Sequence, residues 1–390
     1  MISKILKFNW ITFLSMVALA VIGVVFIKSA GEARTIAALQ GAWRVHAATA
    51  FLGLIVYFTL AFVDYRKILD LLAVPYFWIS VILLVAVLAF GAEVYGGKRW
   101  LWFFQPSEIA KPAVILMIAK MFGSSSTKYN GIKGLLLGMA ILLVPALLIL
   151  AEPDLGTALV LVPTVVVMLV CARICLRVLV PMLLSGLVCA GLVLGAVYKA
   201  ENTADLELRE KIYRYLPLKK HQRARLRTFI NPDADPYGSG WNLRQSMISI
   251  GSGSISGKGI GKGEQKSLQY LPPSVSMNDF IFCVLAEETG FVGSATVLVL
   301  FLMLLLSGLW TAVRSNDDRG RLVVIGVTTL VFVHIYINIA MSIGLMPITG
   351  LPLPFISAGK TFLVVLLASL GIVQSISLHR EEKSEEKYAR

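Results

Sequence analysis

The chain has 390 residues, of which 57% are hydrophobic and only 15% charged, against about 25% charged in an ordinary soluble domain. That excludes a typical soluble enzyme: a membrane helix needs about 20 consecutive apolar residues, so the apolar content furnishes roughly ten spans with little left for a separate globular core. The formal charge of +13 points to nucleic acid only if membrane topology fails to account for it.

Apolar runs broken by charges or by Gly and Pro clusters give the spans in order. The first, near residues 10–30, follows Lys4 and Lys7 and reads as an uncleaved anchor, although Ser29-Ala30-Gly31 imitates a cleavage site. The second and third lie near 43–63 and 71–91, with His46 in the second as a packed polar residue. The fourth, near 106–122, contains Glu108 and Lys111, three apart and so able to pair on one helix face. Ionisable groups inside a span are costly, which makes this pair either a functional site or an internal ion pair holding helices together. The fifth span, near 134–151, ends at Glu152-Pro153-Asp154, where a cap or turn for the sixth, near 157–173, is the plain role of the acids. The seventh runs near 176–198.

Residues 199–278 then form one large non-spanning connection. Its first half, LELREKIYRYLPLKKHQRARLRTFINP, interleaves basic and apolar residues, as either an amphipathic helix on the membrane surface or a solvated helical hairpin would. Its second half holds GSGSISGKGIGKG. That run fails the phosphate-loop spacing, because Ser252 stands five before Gly257 and Lys258 is followed by Gly259. Gly359-Lys360-Thr361 fails too, with Pro354 in the first-glycine position. Backbone N–H groups of the glycine run, with Lys258 and Lys262, could still hold a lipid pyrophosphate, or the run is a flexible loop.

Asp279 stands where the chain re-enters the apolar region, and on a helix Asp279, Cys283 and Glu287 would share a face. It is either an N-cap or a partly desolvated carboxylate able to take a proton from a hydroxyl. The last spans lie near 290–313, 322–346 and 355–378, with His334 a packed polar residue and residues 379–390 a charged tail. The fold class is therefore all-α, a single polytopic domain over 1–390 with about ten transmembrane helices.

With the N-terminus inside, 16 basic residues fall in short inner loops and tails and five at short outer segments, while 13 lie in the long connection. This bias puts both termini in the cytoplasm and the long connection outside. Only Lys111 and Lys360 remain within spans. The charge is thus topology, with the long loop and the intramembrane lysines as candidates for an anionic lipid, and no nucleic-acid partner is expected. Cys171, Cys175, Cys189 and Cys283 have neither disulfide-framework nor metal spacing and read as core residues. No metal-ligand set is expected.

Five ordered blocks resemble the SEDS proteins (shape, elongation, division and sporulation), of the RodA/FtsW type: GGKRWLWFFQPSEIAKP at 96–112, EPDLGTALV at 152–160, RTFINPDADPYGSGWNLRQSMISIGSGSISGKG at 227–259, NDFIFCVLAEETGFVG at 278–293 and NIAMSIGLMPITGLPLPFISAGKT at 338–361. The resemblance implies a peptidoglycan glycosyltransferase polymerising lipid II at the outer face of the cytoplasmic membrane. It implies Asp279 as catalytic base, and Arg99, Trp100, Glu108, Lys111, Asp154 and Gln245 as substrate-binding positions, to which Lys258 is added from the glycine run. It also implies an inverting single displacement, a pyrophosphate leaving group neutralised by Arg or Lys with or without a divalent cation (Mg or Mn), and a class B penicillin-binding protein and other elongation-complex membrane proteins as partners. The GKG after the Gly-Ser run leans towards the RodA branch, in cell elongation and rod shape. Where relatives often carry His-Thr before the aspartate, this chain has Met277-Asn278, and Lys360 replaces a small or polar residue. Competing readings are an FtsW-like division or sporulation paralogue, a lipid flippase whose intramembrane charges line a path, and a scaffold whose charged loop recruits enzymes.

Overall fold

The computed structural model describes residues 7–32, 37–94, 97–102, 104–123, 131–174, 176–203, 205–216, 220–264, 268, 270, 272 and 276–380. Lys4, Arg34, Cys175, Lys266 and the tail beyond Arg380 lie outside the described residues. Among the described residues, eight helices are long and apolar enough to cross a membrane: α1 (Trp10–Glu32), α2 (Ala42–Phe62), α3 (Tyr65–Phe90), α5 (Ile132–Ala151), α7 (Leu176–Glu201), α11 (Ile281–Val313), α12 (Asp318–Ser342) and α13 (Lys360–Leu378). The fourth and sixth expected spans are α4 (Pro106–Phe122) and α6 (Leu155–Cys171), 17 residues each. At about 1.5 Å per residue these two are slightly short for a bilayer core. In α4 this is no defect, because an almost unbroken run from Pro106 to Ala119 is buried in protein and need not match lipid. The molecule is a multi-pass, all-α membrane protein.

The helices pack through small residues and polar pegs, as expected where lipid supplies no hydrophobic drive between helices. The most extensive pairing is α2 with α13. There a Cβ on Gly371 would strike the Tyr57 carbonyl and one on Gly53 would strike Leu367, while the Tyr57 hydroxyl donates to Gln374 Oε1 at 3.2 Å. By contrast α7 exposes nearly all of its faces. Cysteine placement differs from expectation: Cys283 is buried, but Cys171 and Cys189 are exposed. Apolar surroundings in sequence do not distinguish a lipid-facing thiol from a core one.

Two boundaries move for identifiable reasons. The span expected from 290 begins at Ile281, and residue 290 is instead a break within α11, where Gly290 adopts φ 66° and ψ −161°. The last span begins at Lys360 because residues 343–359 contain Pro347, Pro352 and Pro354 and glycines at positive φ, Gly344 and Gly350. A short antiparallel hairpin, β1 (Ala92–Val94) with β2 (Gly97–Trp100), was not anticipated. The long connection folds as α8 (Leu206–Tyr215), α9 (Lys220–Ile230) and α10 (Ser239–Ser252). α10 docks on the helix bundle, with Ser246 Oγ donating to the Ser342 carbonyl at 2.8 Å and Ser249 Oγ to that of Cys283 at 3.1 Å.

Candidate active site

Asp279 sits at the head of α11, one residue before the helix N-cap, which is Phe280 and makes no side-chain cap bond. Asp279 thus lies outside the N-cap position of α11. The backbone around it is fixed from two sides. Ser357 Oγ donates to the Asn278 carbonyl at 2.6 Å and receives Leu353 N at 2.7 Å, while Ala358 N donates to the Met277 carbonyl at 3.1 Å. Asn338 Nδ2, from buried α12, donates to the carbonyls of Asp279 at 2.9 Å and Leu351 at 2.7 Å. Across from the carboxylate lies Gly350, where an added Cβ would stand 3.4 Å from Asp279 Oδ2.

Two arginines act on Asp279. Arg225, on α9, donates Nη1 to the Thr349 carbonyl at 3.0 Å. Arg99, at the end of β2, donates Nε to the Glu152 carbonyl at 3.3 Å and a second nitrogen to that of Pro153. Desolvation by the surrounding protein pushes the Asp279 carboxyl up to about 6, with Arg225 and Arg99 opposing and Asp154 reinforcing. Burial likewise holds Arg225 below its usual value, Arg99 acting in the same sense and Asp154 and Asp279 against it. Glu152 is buried with both carboxylate oxygens unpartnered among the described residues, and burial followed by Asp154 pushes it up to about 8 against Arg99. Asp154 is the cap of α6, accepting from Thr157 N at 3.1 Å, Thr157 Oγ1 at 2.9 Å and Gln105 Nε2 at 3.0 Å. It is thus a structural cap and a charge felt by Asp279 and Arg225 together.

Deeper in the bundle, Lys111 Nζ lies 2.6 Å from Glu108 Oε2 and 3.0 Å from His334 Nε2, and 4.8 Å over the Phe362 ring. The buried pair foreseen by spacing is formed, with His334 as an added partner. Trp100 is half-buried beside Arg99, and Lys360 is exposed at the start of α13.

Lys258 and Gln245 are placed elsewhere. Lys258 Nζ is 2.9 Å from Glu287 and 3.1 Å from Glu264, and Glu287 lies eight residues past Asp279, roughly 12 Å along a helix axis. The glycine run is a strap on the α11 break: Lys258 N and Gly259 N donate to the carbonyls of Glu287 and Glu288, and Phe291 N to that of Ser254. Gln245 is buried on α10. Cys283 and Glu287 share their face with Ser249 of α10, away from the turn that aims Asp279.

Sequence reasoning missed Arg225 and Asn338. Arg225 is one of 13 basic residues in the long connection, and nothing local marks it. Asn338 was visible as an amide inside an apolar span, the kind of buried polar group that demands partners. Among the described residues no three His, Cys, Asp or Glu gather as a metal site, and the Asp154 oxygens are engaged by Thr157 and Gln105. The positive charge facing Asp279 comes from arginine.

The family model described as a cell cycle protein, covering FtsW, RodA and SpoVE, matches residues 9–382. The peptidoglycan glycosyltransferase MrdB of Escherichia coli K12 is 36% identical over 320 residues, covering 80% of this chain and 79% of that protein. Stage V sporulation protein E of Bacillus subtilis is 33% identical over 337 residues, covering 84% of each. Among solved structures, a chain of a peptidoglycan synthase complex that coordinates polymerization and crosslinking superposes with a TM-score of 0.74 at 26% identity, covering 96% of this chain and 99% of that one. The rod shape determining protein RodA of Thermus thermophilus gives 0.66 at 24% identity, covering 96% and 98%, a likeness of fold.

Proposed function

The chain belongs to the FtsW/RodA/SpoVE family, and we propose that it is a peptidoglycan glycosyltransferase of the RodA type, polymerising lipid II at the outer face of the cytoplasmic membrane during cell elongation. The observation that carries this reading is that Asp279 faces Gly350, whose neighbour Thr349 holds Arg225, while Arg99 is held on the Glu152 and Pro153 carbonyls and both arginines act on the carboxylate: one base and two fixed cations. An inverting displacement needs those parts. The Asp279 carboxylate takes the proton of the acceptor's 4-hydroxyl as that oxygen bonds to the donor's anomeric carbon. The carbon–oxygen bond to pyrophosphate breaks with its electron pair, and the arginines stabilise the departing charge. A carboxyl near 6 is ionised at neutral pH yet more basic than an exposed one, which suits a general base.

In this reading Trp100 borders the site beside Arg99, and the buried Glu108–Lys111 pair lies behind it. Both termini lie in the cytoplasm and residues 199–278 outside, as the charge bias requires. The crosslinking partner is a class B penicillin-binding protein. This is supported by the likeness to a chain of a complex that joins polymerization to crosslinking.

The test is labelled lipid II with purified protein and its transpeptidase partner, comparing wild type with Asp279→Asn. Loss of the base lowers polymerisation by about 10²–10⁴-fold with expression and partner binding retained. Undiminished glycan synthesis by the variant sinks the mechanism, and lipid II crossing a vesicle membrane without polymer would favour a flippase.

A further inference from the structure

α9 carries arginines on two faces. Arg223 and Arg227 are four apart and share a face, whereas Arg225 between them points to Thr349 and Asp279. The first two turn instead towards α8, where with Arg209 they line a cleft of about 480 Å³.

The three guanidinium groups are held in place. Glu201, at the end of α7 with its side chain only 1% exposed, receives Arg209 Nη2 at 2.9 Å and Arg227 Nε at 3.0 Å. Tyr213 donates its hydroxyl to the same carboxylate at 2.5 Å. Arg223 lies 5.7 Å over the Tyr213 ring and donates to the Leu216 carbonyl at 3.3 Å. The acid on the cleft wall, Asp235, accepts from Ser239 N at 2.8 Å and Ser239 Oγ at 2.9 Å at the start of α10.

Among the described residues, three arginines thus converge against two carboxylates, both already engaged. Each guanidinium has five N–H donors in a rigid fork that matches phosphate oxygens. Arg209 and Arg227 each use one nitrogen on Glu201. Gathering like charges is unfavourable, and an anion in the cleft relieves it. Location narrows the anion. α7 is an apolar, lipid-exposed span ending at Glu201, so the cleft lies at the membrane–water boundary, at the level of lipid phosphates.

We propose that the cleft between α8 and α9 binds the phosphate-bearing head group of a lipid. Two sources share this chemistry: a bilayer phospholipid, which is independent of the function proposed above, and a polyprenyl-pyrophosphate substrate, which rests on it.

The experiment is calorimetric titration of the full-length protein in neutral detergent with dihexanoyl phosphatidylglycerol and, separately, farnesyl pyrophosphate. Arg223→Gln and Arg209→Gln weaken binding by at least about tenfold, the loss of one charge-assisted contact. Ala224→Glu, at an exposed position on the cleft wall, does the same without removing any native bond, which guards against misfolding of the arginine variants. Arg214→Gln, at an exposed arginine of α8 that does not line the cleft, retains cleft binding. Binding of phosphatidylglycerol identifies the bilayer as source, and binding of the pyrophosphate alone identifies the substrate. The proposal is overturned if neither probe binds wild type, if the cleft variants bind as wild type does, or if Arg214→Gln loses binding equally. Head-group binding does not require polymerisation, so its failure is distinct from failure of Asp279 as base.

Discussion

Asn338→Ala tests how Asp279 is aimed. Asn338 is completely buried, and its amide nitrogen bridges the carbonyls of Asp279 and Leu351 at 2.9 and 2.7 Å. Those bonds tie the head of α11 to the irregular segment carrying Gly350, which faces the Asp279 carboxylate. Each lost bond costs about 0.5–1.5 kcal/mol net, so the variant is less stable by about 1–3 kcal/mol. The chain does not come free, because Ser357 still holds the Asn278 carbonyl at 2.6 Å. What changes is the direction of the carboxylate, and a misplacement near 1 Å is worth about 10²-fold in rate. The assay is polymerisation of labelled lipid II by the detergent-solubilised protein, alongside a thermal melt. A variant that is destabilised yet polymerises within about twofold of wild type would refute the claim that this amide positions the base, since a rate factor of two is only ~0.4 kcal/mol.

Three further outcomes follow from the same geometry. A carboxyl raised to about 6 is the active base only when ionised, so kcat/KM falls as pH drops through about 6 and is level above it. In the kcat profile, with substrate bound, the midpoint lies higher; equal midpoints would deny that the arginines bind the pyrophosphate. Gly350→Ala places a Cβ at φ 75° and 3.4 Å from Asp279 Oδ2, a backbone strain of about 1–3 kcal/mol, and lowers polymerisation; wild-type activity and melting would show that the loop yields freely. Lys111→Met leaves Glu108 buried without its cation and destabilises by about 3–5 kcal/mol, whereas Glu108→Gln with Lys111→Met recovers most of the melting temperature. A double variant that melts no higher than the single would remove the ion-pair account.

The spans were legible because a membrane helix is specified locally: run length and apolarity suffice, and even the polar interior of α4 could be read as an ion pair from the spacing of Glu108 and Lys111. Boundaries shifted where tertiary contacts govern. Gly290 has positive φ because the strap from Ser254 to Gly259 bonds to the backbone on either side of it, a relation between segments that periodicity does not carry. The same strap explains Lys258. A run of glycines beside a lysine has the composition of an anion loop, but Gly257, Gly259 and Gly261 use their positive φ to follow the α11 break, and the lysine neutralises buried Glu287. Asp279 stood out as an acid at the re-entry of an apolar segment. Arg225 did not, because which way a residue of α9 faces depends on what α9 packs against.

The proximity of Asp279 to two arginines has opposing effects, and their balance is informative about catalysis. Burial alone would raise the carboxyl further, and the arginines alone would lower it; the result near 6 leaves the base ionised before substrate arrives. On the proposed reading a donor pyrophosphate then binds Arg99 and Arg225 and cancels the positive charge that had held the carboxyl down. The base strengthens only when the donor is in place, because the bound anion cancels the arginine charge that holds the carboxyl down in the free protein. Backbone carbonyls accept the side-chain bonds that fix the arrangement: Arg99 donates to those of Glu152 and Pro153, Arg225 to that of Thr349, and Asn338 to that of Asp279. Carbonyl acceptors orient the guanidinium groups without neutralising them, and so leave their charge available to the substrate.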